Sequence, residues 1–215
     1  MREINIIGMG PSALSLKNQE LHGEIWGLNY AYLYRRRLDR LFVLHRWDQF
    51  MTCAQKEGRT GDHWLKAMTE GRIHQLWTFF PTDIAIPISD YPPDMKQEQA
   101  VVFTHDPKGI GNYKNQNLRK IAKSHVIDVK KIIKITQCDH LSCSLPYVIG
   151  QAIVEKVDKI NLYGIEIWAW NGQNTYGGQI PSVNAMLRTA VARNIQVFMP
   201  WAEAMKINDK IFVKG

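Results

Sequence analysis

The chain has 215 residues, of which 45% are hydrophobic and 22% charged, and carries a formal net charge of +7. That length suggests one domain spanning 1–215, and it suffices to bury a full core without disulfides or metals. The composition excludes wholesale disorder, and no apolar run approaches the roughly 18 residues that a membrane-spanning helix needs.

Glu3 to Ile7 is a short apolar run ending at Gly8 and reads as a buried strand. Gly8-Met9-Gly10-Pro11-Ser12-Ala13 follows and fits the pattern G-x-G-x-x-A. In that pattern the glycines permit a tight turn and close backbone approach. The next helix then aims its unpaired N–H groups and the positive end of its dipole at an anion. Pro11 suits a first helical turn, where its missing N–H costs nothing, and Ser12 adds a hydroxyl donor. A plain tight turn would use the same residues. Pro11 to Gln19 reads as the helix, and Glu24 to Leu28 as a second strand closed by Asn29. The dinucleotide fingerprint wants an acid at the end of that strand to hold ribose hydroxyls. Asn29 stands there instead, which argues against NAD; its amide suits a ribose or base, or simply a turn.

Tyr30 to Arg37 reads as a short helix and Leu41 to Leu44 as a third strand ending at His45, with Trp47 and Asp48 just beyond. Strand carboxyl ends in open α/β sheets face the ligand crevice, so His45 is a candidate general base, although a turn histidine gives the same pattern. Asp62 to Glu70 looks helical, and Gln75 to Phe80 and Asp83 to Ile86 are candidate strands. Prolines, glycines and asparagines mark 88–117 as loop-rich, within a basic middle segment of about 88–134. Between Lys114 and Lys134 that segment carries Lys114, Arg119, Lys120, Lys123, Lys130, Lys131 and Lys134 against Asp128 alone. Arg35, Arg36, Arg37 and Arg40 around Asp39 form a second cluster. Such clusters suit a polyanion such as DNA; a solvated basic face is the other reading. The pattern from Val126 to Ile135 fits a strand or a helix equally.

Ser144 is placed to cap a helix from Leu145 to about Lys156, and Ser142 beside it offers a further hydroxyl for an anion. Lys159 to Tyr163 reads as a strand ending at Gly164, which puts Glu166 at the crevice edge beside the loop Tyr176-Gly177-Gly178-Gln179. Pro181 opens a helix to about Arg193, Ile195 to Met199 reads as a core strand, and Lys206 to Lys214 as a small terminal one. Strands alternating with helices predict an α/β, Rossmann-like fold, a mainly parallel sheet with helices on both faces.

Three cysteines and no CxxC pair suit a reducing, cytoplasmic setting, and the N-terminus does not read as a signal peptide. Cys138, His140 and Cys143 fall short of the four tightly spaced ligands of a structural zinc site, so no metal is expected there.

These motifs resemble those of known families. Ile7-Gly8-Met9-Gly10-Pro11-Ser12 resembles the G-x-G-P-S loop of bacterial sialyltransferases and that of the hydroxymethylpterin pyrophosphokinase-like (MptE-like) proteins. Trp26-Gly27-Leu28-Asn29 and Phe42-Val43-Leu44-His45 look like a group of phage-encoded Rossmann-like proteins. That group shares a late pattern similar to Leu162-Tyr163-Gly164-Ile165-Glu166 followed by Tyr176-x-x-Gln179, its acidic position often being Asp where this chain has Glu166. The resemblance spans nearly the whole chain as scattered motifs. It implies a glycosyltransferase-like enzyme whose nucleotide-sugar donor is cradled by Gly8 to Ser12 and Asn29. A hydroxymethylated base in phage DNA is the implied acceptor, and host cytoplasm the implied location. The sialyltransferases draw their catalytic histidine from another chain region, so His45 is not its equivalent. Two alternatives stand beside this reading: an ATP-dependent pyrophosphokinase-type transferase, which would require Mg²⁺, and a non-catalytic nucleotide or nucleic-acid binding protein.

Overall fold

The computed structural model describes residues 1–10, 12–16, 19–44, 67, 71–78, 83–87, 102–103, 118–123, 125–165 and 178–199. Seven strands form one sheet: β1 (Glu3–Ile7), β2 (Glu24–Leu28), β3 (Leu38–Phe42), β4 (Ile73–Thr78), β8 (His125–Val126), β9 (Lys159–Tyr163) and β10 (Gln196–Phe198). Their spatial order is β10-β9-β1-β2-β3-β4-β8, and every pairing is parallel. The strands read as continuous apolar runs because both faces are covered. Ile4, Ile6, Trp26, Phe42, Ile160, Leu162 and Val197 pack on one face, under helices α2 (Val129–Thr136), α3 (Ser144–Val154) and α4 (Ile180–Ala192). Ile7, Ile25 and Leu41 pack on the other, with α1 (Ser12–Ser15) and a 3-10 turn at Ala31–Leu33. The expected Rossmann-like α/β architecture is therefore present.

Several local expectations are revised. The helix expected to reach Gln19 ends at Ser15, and the Arg35 guanidinium folds back to donate to the carbonyls of Leu16 and Gln19. The helix expected over Tyr30 to Arg37 shrinks to the 3-10 turn, because β3 begins at Leu38 rather than Leu41. Leu38 is fully buried, pairs with Ile73, and lies where a side chain on Gly27 would be, its Cδ1 2.6 Å from that position. β3 ends at Phe42, although the Val43 N–H still donates to the Trp77 carbonyl at 2.9 Å. The loop-rich middle contains β6 (Val102–Phe103), which pairs antiparallel with β5 (Asp83–Pro87); β7 (Leu118–Lys123) lines the other side of β5 in a second, three-stranded sheet. The ambiguous stretch around Val126 resolves into a two-residue strand and then α2. The expected helix over Asp62 to Glu70, apart from helical Ala67, and the terminal strand over Lys206 to Lys214 lie outside the described residues. No helix among the described residues is long and apolar enough to cross a membrane.

The amino-terminal edge of the sheet is tied by a charged clamp. Arg40 lies between two indole rings, its guanidinium carbon 4.3 Å from the Trp26 centroid and 5.0 Å from that of Trp77. It grips Glu155 with both terminal nitrogens, at 2.5 and 3.0 Å. Arg2 joins the same carboxylate at 2.6 Å and reaches Glu24 at 2.9 Å. Glu155 closes α3, so the clamp pins the end of that helix under the starts of β1, β2 and β3. Burial pushes the Glu155 carboxyl up, but hydrogen bonds from Arg40, Gln151 and Arg2 outweigh it and hold its pKa below the ordinary value.

A depressed carboxyl pKa contributes stability that is present above the unfolded value of 4.5 and is lost as pH falls through the folded value. Glu155→Gln should cost about 2–3 kcal/mol near neutrality, below the range for a fully buried pair because 18% of the side chain remains exposed. The gap between wild type and variant should close as the pH drops below 4.5, which urea melts across that window would measure. A gap independent of pH would contradict the assignment.

Candidate functional site

The chain direction fixes where ligands can meet this sheet. Strands β1, β2, β3 and β4 run outward on one side of β1, while β9 and β10 run outward on the other, so the topological switch lies between β1 and β9. Ligands of open α/β sheets bind beyond the carboxyl ends at that point.

Here the two strand ends are locked together. The Gly8 N–H donates to the Tyr163 carbonyl and the Gly10 N–H to the Gly164 carbonyl, both at 2.8 Å. The Gly164 N–H returns a bond to the Ser12 hydroxyl oxygen at 2.7 Å. A Cβ on Gly8 would sit 2.3 Å from the Gly164 carbonyl oxygen. Gly164 has φ +64°, and a Cβ there would lie 2.7 Å from that of Ala13. The glycine pattern therefore serves strand-to-strand closure: Gly8 and Gly164 make room for each other, and the Gly10 amide, expected to face a phosphate, is spent on Gly164. Ser12, 4% exposed, braces β9 from the first turn of α1. With four residues, α1 has little dipole to offer an anion.

Longer helices reach the same edge. Glu155 and Ile195 mark the amino-edge ends of α3 and α4, so both helices start at the carboxyl edge. The Ser142 N–H donates to the Ser182 hydroxyl at 3.2 Å, which joins the two starts. Neither helix has an acidic residue in its first turn to offset its partial positive end. Ser144 is the first residue of α3 rather than its cap: extended Cys143 takes the cap position without a side-chain bond. Burial raises the Cys143 pKa, partly offset by a backbone hydrogen bond at Leu145. Gln179 occupies the cap position of α4, again without a side-chain cap bond.

Asn29 ends β2 in the left-handed region at φ 50°, its N–H donating to the Phe42 carbonyl at 2.9 Å. Since Ile7 pairs with Gly27, Asn29 stands on the same edge as Gly8. The structure thus gathers Gly8, Gly10, Ser12, Asn29, Ser142, Ser144, Gly164 and Gln179 at the carboxyl edge. Pro11, His45, Glu166 and Tyr176 lie outside the described residues, as does Lys114. Sequence reasoning missed Ser182, the bridge between the two helix starts; its place three residues after Gln179, beside Pro181, was the only signal. Among the described residues no group of three His, Cys, Asp or Glu side chains is placed to hold a metal ion.

No protein-family model matches this chain, and no curated protein sequence does. Solved structures similar to it are sialyltransferases. One is an apo α-2,3-sialyltransferase from Campylobacter jejuni, 13% identical, with a TM-score of 0.49 and coverage of 100% of this chain and 83% of that chain. Another is the sialyltransferase CstII from the same organism with cytidine-5'-monophosphate, 13% identical, with a TM-score of 0.45 and coverage of 93% and 79%. A third holds a trisaccharide acceptor and CMP, with 12% identity, a TM-score of 0.49 and coverage of 98% and 85%. The fold described above rests on strand order and register, not on this likeness.

Gly164→Ala should destabilise the fold by about 2–4 kcal/mol, combining a left-handed non-glycine residue with overpacking against Ala13. Ser12→Ala should cost about 1–3 kcal/mol by stranding a buried amide, and should speed hydrogen exchange at Gly164. An unchanged urea midpoint for Gly164→Ala would show that the two strand ends are not in contact.

Proposed function

We propose that the chain is a group-transfer enzyme that binds a nucleotide-activated donor, a nucleotide sugar, across the carboxyl ends of β1 and β9. The observation that carries this reading is the pairing of a topological switch point with the starts of α3 and α4, neither of which has an acid in its first turn. Donor phosphate would sit at those helix starts, hydrogen-bonded by the hydroxyls of Ser142 and Ser144, with Asn29 offering its amide to ribose or base. The glycine loop would shape the floor of the site rather than grip the phosphate.

In the transfer step an acceptor hydroxyl loses its proton to a base as its oxygen bonds to the donor sugar carbon. The bond from that carbon to the phosphate oxygen breaks, and the helix N–H groups stabilise the charge that develops on the departing nucleotide. His45 follows β3 and Glu166 follows β9 by chain continuity, which supports either as the base. Hydroxymethylated DNA is the acceptor we favour, on the resemblance of the motifs to the phage-encoded group.

Titration calorimetry with CMP, UDP and ATP tests the donor site. Ser142→Ala combined with Ser144→Ala should weaken binding about a hundredfold, as expected for losing two hydrogen bonds of ~1.5 kcal/mol each to a charged group. Single-turnover rates should fall about 10²–10⁴-fold in whichever of His45→Ala and Glu166→Gln removes the base. A folded wild-type protein that binds none of the three nucleotides would refute the reading. Binding with wild-type rates in both variants would move the base elsewhere, and binding without turnover would make the protein a nucleotide binder.

A further inference from the structure

The two basic clusters of the sequence have different fates in the fold. Most of the arginine cluster is engaged by neighbouring groups, with Arg36 exposed. Arg35 donates to the Leu16 and Gln19 carbonyls, Arg37 pairs with Asp39 at 3.1 Å, and Arg40 is held by Glu155. Arg72 is absorbed in the same way by the carbonyls of Tyr32, Arg35 and Arg36. The α2 part of the lysine cluster differs. Lys130, Lys131 and Lys134 are exposed on α2 and, with exposed Arg188 on α4, form no ion pair with any described residue.

These cations share one surface. α3 is buried along most of its length between α2 and α4; a Cβ on its Gly150 would lie 2.5 Å from Ile132 of α2 and 3.5 Å from Met186 of α4. The Arg193 guanidinium donates to the Ile135 carbonyl and ties the end of α4 to α2. The outer surface over α3 therefore carries four such cations, against the Asp128 carboxylate, which is engaged in capping α2 through the Lys131 N–H at 2.9 Å. Asp139 lies beyond the helix end.

The placement is unfavourable within the chain itself. Lys130 and Lys131 occupy the first turn of α2, next to the positive end of its dipole, where anions are favoured. Lys130 and Lys134 are spaced i, i+4 and repel across one turn. Among the described residues only the capping Asp128 offsets this arrangement, which fits cations held for a partner. Ile132 and Thr136, on the inner side of α2, are buried. The helix therefore has no apolar face to insert into a bilayer, and a row of exposed cations complements the charge of a phosphodiester backbone.

We infer that the outer face of α2 and α4 is a DNA-docking surface, with Lys130, Lys131, Lys134 and Arg188 contacting backbone phosphates. α2 starts at the carboxyl edge of the sheet, because it follows β8, so DNA lying along this face runs toward the edge that holds the donor site. The inference rests on the proposed transfer only for DNA as the acceptor; the binding itself does not require a donor.

Fluorescence anisotropy of a short labelled DNA duplex over a series of salt concentrations tests it. Each lost phosphate contact lowers the slope of log affinity against log salt by about one. The triple variant Lys130→Gln, Lys131→Gln, Lys134→Gln should therefore lower it by about three, and Arg188→Gln by about one more. A control triple, Arg36→Gln, Arg37→Gln, Lys156→Gln, makes the same change in net charge elsewhere and should leave the slope near that of wild type. Melting curves establish that each variant is folded. No duplex binding by wild type at low salt, an equal fall in slope for the control, or capture by phosphatidylserine-containing vesicles without duplex binding would each overturn the inference. The Ser142→Ala, Ser144→Ala variant separates the two proposals. It should keep full duplex affinity, and failure of nucleotide binding with duplex binding intact would remove the donor site while leaving this surface standing.

Discussion

The contact on which the site depends is the one between Gly8 and Gly164, where two backbones meet without a side chain between them. A Cβ on either residue would fall within 3 Å of the opposing segment, so the ends of β1 and β9 can approach only with glycine on both sides. Three hydrogen bonds then exploit the approach, and one of them recruits the Ser12 hydroxyl. The geometry of the switch point, and hence the direction in which the chain leaves β9, follows from this closure. The closure also explains why the glycine loop is poorly suited to phosphate: its Gly8 and Gly10 amides are already committed to β9.

The two edges of the sheet divide the work. At the amino edge, Arg2, Arg40, Glu24 and Glu155 neutralise one another in a network that anchors α3 and the first three strands. At the carboxyl edge, α3 and α4 start without acids in their first turns, and serine hydroxyls stand beside them. Pinning α3 at its far end holds its start in place, which is how a purely structural ion pair acts on the geometry of the ligand edge. Partners already fixed in place need no reorganisation when charge arrives, and that is the condition under which helix dipoles and amides stabilise an anion best.

Local signals carried the sequence reading where they were strong. Apolar runs bounded by Gly or Asn located β1, β2 and β9 to the residue, and Pro181 located the start of α4. The reading failed where long-range contacts decide. Periodicity gives no sign that Arg35 will close α1 after one turn, or that Leu38 will be drawn into β3 by the tight space at Gly27. The seven cations of the middle segment look continuous in the sequence, yet β7 takes Arg119, Lys120 and Lys123 into a separate antiparallel sheet while α2 takes Lys130, Lys131 and Lys134. The contacts of Gly10 and Ser12 with Gly164 were hidden for the same reason. Their partner, Gly164, is 152 residues from Ser12, and no local pattern announces it.

The central position of β1 has a consequence for how the chain is made. One neighbour, β2, follows within about twenty residues. The other, β9, is contributed by residues such as Asn161, whose contact with Asn5 spans 156 positions. During synthesis at roughly 5–20 residues per second, one side of the central strand waits on the order of ten seconds for its partner to emerge. Through that interval the growing chain presents an unpaired, strongly apolar strand edge, open to neighbouring nascent chains and to chaperones. The switch point between β1 and β9 thus closes late, with only β10 of the described strands still to be added to the sheet.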